Sequence, residues 1–168
     1  MKIVFIQAGG TIDKDYPKTR KGYAFEIGEP AVKRILEKVH PNFDFEVISL
    51  LKKDSLDMTE EDRAIIHQAC QRADADKIVI THGTDTMIET ARKLSRIKNK
   101  VIVLTGAMKP EKFSDSDASF NVGAAVGAIN LLSSGVYIAM NGRIFPWNKV
   151  KRDKQTGRFV EARPVESK

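Results

Sequence analysis

The chain has 168 residues, 42% of them hydrophobic and 30% charged, with a net charge of +6. That length suits one domain with a sizeable core, and no apolar run reaches the ~18–20 residues a membrane helix needs. The single Cys70 excludes an internal disulfide and points to a reducing, cytoplasmic setting.

Strand and helix patterns alternate along the chain. The opening "KIVFI" is a short continuous apolar run, as a parallel strand buried on both faces requires. Polar "QAGGTID" follows at once, so the opening reads as a strand and not as a signal peptide. A glycine-containing loop from 9 to about 28 precedes a helix over "EPAVKRILEKVH", with Pro30 at its first position and Val32, Ile35, Leu36 and Val39 on one face. "FDFEVISLL" predicts the second strand. "TEEDRAIIHQACQRAD" predicts a helix opened by a Thr59–Asp62 capping box, with Ile65, Ala69 and Ala73 along one side, joined by Ile66 and Cys70.

"KIVIT" predicts the third strand, followed by a helix over about 85–97. "KVIVLTG" is the fourth strand. "DASFNVGAAVGAINLLS" predicts a helix whose glycines lower its propensity, an effect that close packing on the sheet would offset. "GVYIAMNG" is the fifth strand. The expected fold is therefore an α/β single domain over 1–168: a three-layer, Rossmann-like parallel sheet with helices on both faces, joined by right-handed crossovers. The excess positive charge concentrates near the end. Lys149, Lys151, Arg152, Lys154, Arg158 and Arg163 stand against only Asp153 and Glu161. We read the stretch from about 145 to 168 as a solvated basic C-terminal extension. It lacks the interleaved aromatics of a nucleic-acid surface, so nucleic acid is not an expected partner.

In a parallel sheet, ligands bind beyond the carboxyl ends of the strands. There the sequence places "AGGTID", "KKDSLDM", "THGTDT", "TGAMKP" and "NGRIF" in turn. Gly9 and Gly10 permit close backbone approach and an oxyanion hole, beside Thr11 as a candidate nucleophile. A plain tight turn is the alternative. Asp85 could hold a substrate ammonium or orient a lysine, or Thr84 and Asp85 could simply cap a helix. Ser55 and Asp57 offer polar contacts, and "GAMKP" offers backbone groups. The loop from Lys14 to Gly28, with Tyr16 and Tyr23, suits a lid, in which a tyrosine near a nucleophile could move a proton. His82 reads as structural, and no metal-ligand spacing occurs.

Taken together, "GGTI" at 9–12, "DSLDM" at 54–58, "THGTDTM" at 81–87, "TGAMKP" at 105–110 and "VYIAMNGRI" at 136–144 resemble the N-terminal domain of the bacterial-type L-asparaginases. The resemblance implies hydrolysis of asparagine to aspartate and ammonia with no metal or organic cofactor. It implies a small asparagine-like amide as substrate and a homo-oligomer as the working form. By the same resemblance Thr11 is the nucleophile and Tyr23 the lid residue assisting it. Thr84, Asp85 and a lysine form a second group; Lys151 is the candidate for that lysine, although Arg152 aligns with the position and Lys154 is close. Gly10, Ser55, Asp57, Gly83 and the carbonyl of Ala107 contact substrate. A non-catalytic binder of aspartate- or asparagine-like ligands, and an amidase for another small amide such as glutamine, are the competing readings.

Overall fold

The computed structural model describes residues 1–19 and 22–162. Among them one six-stranded sheet forms from β1 (Lys2–Gly9), β2 (Asp44–Lys53), β3 (Lys77–Thr81), β4 (Val101–Thr105), β5 (Gly135–Met140) and β6 (Arg143–Pro146). The spatial order is β6-β5-β4-β3-β1-β2. The first five strands are parallel, as their uninterrupted apolar runs predict, and β6 folds back antiparallel on β5. The helices are α1 (Ala31–Val39), α2 (Glu60–Arg72), α3 (Met87–Leu94) and α4 (Ala118–Ile129).

Side chains alternate across the pleat and separate two cores. Val4, Ile6, Ile78, Ile80, Ile102 and Leu104 pack under α2 and α3, against Ile66, Cys70, Met87 and Leu94. Ile3, Phe5, Val79 and Val103 face α1 and α4, against Val32, Leu36, Val122 and Ile129. The protein is thus a three-layer α/β fold, helices on both faces of one sheet. The faces also fix the hand of each connection. The β1–β2, β2–β3 and β3–β4 crossovers share one hand. The β4–β5 connection runs in the same direction as the one before it but on the opposite face, so it has the opposite hand. The uniform right-handedness expected from the sequence therefore does not hold at α4. The loop before α4 crosses to the α1 side, where the buried Glu111 carboxylate is held by Arg34 at 2.7 Å and Lys38 at 3.1 Å, both from α1.

Local details depart from expectation in informative ways. The capping box on α2 forms in full: the Thr59 hydroxyl accepts from the Asp62 amide, and the Asp62 carboxylate accepts from the Thr59 amide at 2.8 Å. Its buried face, however, is Asp62, Arg63, Ile66 and Cys70, while Ile65 is exposed. Val39, expected on the apolar face of α1, is exposed at its last turn. In α4 the sheet-facing small residues are Ala118 and Ala125. Gly123 and Gly127 point away, and an added β-carbon at either would meet nothing within 4 Å. Sheet packing thus does not explain those glycines. Finally, the basic segment is not a free extension. After β6 a 3-10 turn (Trp147–Lys149) leads into a hairpin of Val150–Arg152 paired with Phe159–Glu161, and Val150 and Phe159 are buried in the core under α2 and α3. Arg163 and the residues after it lie outside the described residues.

Candidate active site

The strand order reverses between β1 and β3, because β1 connects onward to β2 on one side and β3 leads to β4 on the other. Such a switch point leaves a crevice beyond the carboxyl ends of the two strands. The turns after β1 and β3 are the "AGGT" and "HGTD" segments. They are packed backbone against backbone: a β-carbon on Gly10 would overlap the nitrogen and α-carbon of Gly83. Gly9 and Gly10 have φ of +112° and +89°, conformations open to glycine and strained for other residues. The neighbouring turns join them. A β-carbon on Gly83 would overlap the Ser55 side chain, and one on Gly106 would overlap the carbonyl of His82. Four strand ends therefore meet closely, and glycine at each contact makes the approach possible.

Within this cluster Thr11 opens a 3-10 turn (Thr11–Asp13) and is half-buried. Thr84 is buried, one residue beyond the Gly83 contact. Ser55 is buried and structural in its bonding: its hydroxyl accepts from the Asp85 amide at 3.2 Å, and its carbonyl accepts from the Thr86 hydroxyl at 2.7 Å. The Gly10 amide donates to the Lys53 carbonyl at 2.9 Å and is therefore committed, so an oxyanion hole cannot draw on it. Asp57 is exposed in the 3-10 turn that carries Ser55, beside the exposed Leu56. Ala107 is buried among the residues facing α1 and α4.

Neither Thr84 nor Asp85 caps α3, whose N-cap position is Thr86 and shows no side-chain capping bond. The Asp85 carboxylate instead accepts from Arg152 Nη1 in a close ion pair. Strand alternation explains why Arg152, and not Lys151, reaches it. Val150 and Arg152 share the hairpin face that turns inward, and Lys151 stands exposed on the other. A hollow of ≈ 390 Å³ lies beside this pair, lined by Asp85, Arg152, Asp153, Lys154 and Gly157.

The lid segment forms two short antiparallel ladders, Lys14–Asp15 with Glu26–Ile27 and Lys18–Thr19 with Gly22–Tyr23. Tyr23 is 62% exposed, stacked on Tyr16 with ring centroids 5.6 Å apart. Its ring thus lies on the solvent side of the lid. The base of the lid is a buried polar network that sequence reasoning missed. Gln7, Thr81 and Thr105 form a row across β1, β3 and β4. Gln7 donates to the Gly28 carbonyl at 2.9 Å and accepts from Ser49 at 2.6 Å. Asp13 accepts from the Ala31 amide at 2.7 Å, so it caps α1 from across the lid, and its own carbonyl accepts from the Gly28 amide. Burial pushes the Asp13 carboxyl up to about 6, against the pull of these hydrogen bonds.

His82 is structural, as expected. It is fully buried, and desolvation pushes its pKa down to about 4, so the ring is neutral. Nδ1 lies 2.7 Å from the Gly83 carbonyl, which can only accept, so Nδ1 carries the proton. Nε2 then accepts from the Thr90 hydroxyl at 2.8 Å. The imidazole thereby fixes the orientation of the Gly83 peptide from behind.

The switch-point turns of this parallel α/β sheet thus bring a threonine after a double glycine against a second Gly-Thr-Asp turn, the two motifs on which the sequence resemblance rests. The chain belongs to the asparaginase family: the model of the asparaginase N-terminal domain matches residues 2–159. It is 32% identical over 163 residues to an L-asparaginase of Thermococcus kodakarensis, an alignment covering 94% of this chain and 49% of that protein. Over 72 residues it is 46% identical to a component of the glutamyl-tRNA(Gln) amidotransferase of Methanococcus vannielii, covering 42% of this chain and 17% of that one. The solved structure of the thermostable L-asparaginase from Thermococcus kodakarensis superposes with a TM-score of 0.82 at 30% identity, over 96% of this chain and 51% of the other. The chain spans about half the length of the L-asparaginases it matches.

Proposed function

We propose that this chain hydrolyses the carboxamide of small asparagine-like substrates, releasing ammonia, with Thr11 as the nucleophile. The observation that carries the reading is the Gly10–Gly83 contact, which sets Thr11 and the Thr84–Asp85 pair at one switch-point crevice. The Thr11 hydroxyl adds to the amide carbon as its proton leaves to a base. The tetrahedral oxyanion is held by backbone N–H groups of the Thr11 and Gly83–Thr84 turns. The C–N bond then breaks, the nitrogen leaves as ammonia, and water hydrolyses the ester to regenerate Thr11. Tyr23 carries the proton at Thr11, its phenol oxygen accepting the Thr11 proton as its own O–H proton passes on to the leaving nitrogen, and the lid must close to deliver it from its exposed position. Thr84 steadies the oxyanion or activates the water, and Arg152 holds Asp85 in place; Ser55 shapes the wall and the Ala107 carbonyl meets the departing amide. L-asparagine is the substrate suggested by the L-asparaginase relatives. Glutamine joins it because of the stretch shared with an amidotransferase that acts on glutamyl-tRNA(Gln) by name.

The partly open Thr11 and the exposed Tyr23 support a homo-oligomer in which a second copy completes the walls, which sedimentation velocity tests directly. Cys70, buried and pushed up to about 12 by desolvation, is inert and fits a cytoplasmic location. None of the four helices is long and apolar enough to cross a membrane. An ammonia-coupled assay over L-asparagine, L-glutamine and succinamate tests the function, and turnover of any one supports it.

A second reading, a non-catalytic binder of aspartate-like ligands, is favoured by Arg152. A guanidinium stays charged and cannot relay a proton at Asp85. Calorimetric binding of L-aspartate without turnover of any amide selects that reading.

A further inference from the structure

We infer that the hollow beside Asp85 selects amides that carry a carboxylate but no free ammonium, and that Arg152 sets this preference. The inference deepens the amidohydrolase reading and rests on it for the reaction, although not for the binding preference itself. Asp85 is the acid on the turn that carries Thr84, and its carboxylate is already paired with Arg152. The guanidinium is fixed from two sides, because Arg152 Nε donates to the Gly157 carbonyl at 3.1 Å while Nη1 reaches Asp85. Its strand is anchored by Val150 and by the pairing of Arg152 with Phe159, both apolar partners being buried. The second acid of the hollow, Asp153, is engaged by its own turn. Its Oδ1 accepts from the amides of Gln155 and Thr156 and from the Thr156 hydroxyl. Lys154 lines the same hollow with its side chain exposed.

An entering ammonium would therefore meet an acid that is already neutralised and a cation that cannot shed its charge. A carboxylate would meet the remaining N–H groups of a five-donor guanidinium, with Lys154 beside it. The two ligands to compare are succinate and L-aspartate, which differ by one ammonium group and are the products expected from succinamate and L-asparagine.

Calorimetric titration of the full chain with succinate and L-aspartate tests this. Wild type is expected to bind succinate roughly tenfold more tightly. Arg152→Gln should bring the ratio to about one or invert it, because Asp85 is then free for the ammonium. Lys154→Gln, at an exposed position that leaves the fold alone, should weaken both ligands, and succinate the more because of its larger net negative charge. Tighter binding of L-aspartate by wild type, an unchanged ratio in Arg152→Gln, or no binding of either ligand at millimolar concentration overturns the inference. Ammonia release from the amide panel separates the two claims: no turnover of any amide with the succinate preference intact removes only the hydrolase reading, and turnover with an L-aspartate preference removes only this one.

Discussion

Gly10 and Gly83 touch through their backbones, and no side chain larger than hydrogen fits at either position. Everything at the candidate site depends on this contact, because it sets the turn carrying Thr11 against the turn carrying Thr84 and Asp85. Gly10→Ala would introduce a β-carbon at φ +89° and push it into the Gly83 main chain, which cannot rotate away. We expect a loss of about 2–4 kcal/mol in stability and of activity with it. Gly123→Ala is the control. It lies on the exposed side of α4 with open space around it, and should stabilise by about 0.5–1 kcal/mol. Urea denaturation of the two variants checks both signs.

The hairpin that delivers Arg152 is held mainly by Phe159, which is buried and donates its amide to the Asn141 side chain at 3.1 Å. Phe159→Ala should cost about 3 kcal/mol. Part of that cost appears as local opening, so amide exchange across 150–161 should rise more than exchange in β1 or β3. Uniform acceleration throughout the sheet would show that the hairpin does not open independently.

Asp13 gives the stability of this protein an unusual pH dependence. Its carboxyl titrates near 6 when folded and near its ordinary 3.8 when unfolded. The folded state therefore binds the proton more tightly, and the favourable contribution is complete below the unfolded value. It is lost as the pH rises through 6, by about 3 kcal/mol in total at about 1.4 kcal/mol per unit. Asp13→Asn removes this titration while the other acids titrate in both proteins. Wild type should thus lose stability relative to Asp13→Asn between pH 4 and 6.5. A difference that stays flat across that window would show that the carboxyl ionises without penalty.

The strands and helices were readable because continuous apolar runs and helical spacing report local burial, and the switch-point turns were readable because glycine marks close backbone approach. The sequence leaves Lys151, Arg152 and Lys154 open as the partner of Asp85, since lysine fits the family pattern while Arg152 aligns with the position; the hairpin alternation that puts Val150 and Arg152 on one face selects Arg152. Asp13 reads as one more polar residue in a loop. Its burial comes from the lid folding back to Gly28 and from α1 packing over it, contacts that no local pattern encodes. The glycines of α4 misled in the opposite sense, since only the observed helix phase shows that they face solvent.

The central claim is tested most directly by the rate of ammonia release from the best substrate of the amide panel, measured for wild type and Thr11→Ala under the same conditions. The half-buried Thr11 side chain carries little of the fold, so the variant should unfold within about 1 kcal/mol of wild type. Turnover by wild type and a loss of at least roughly a thousandfold in Thr11→Ala are the expected results. Ammonia release by a folded Thr11→Ala at the wild-type rate would contradict the assignment of Thr11 as nucleophile.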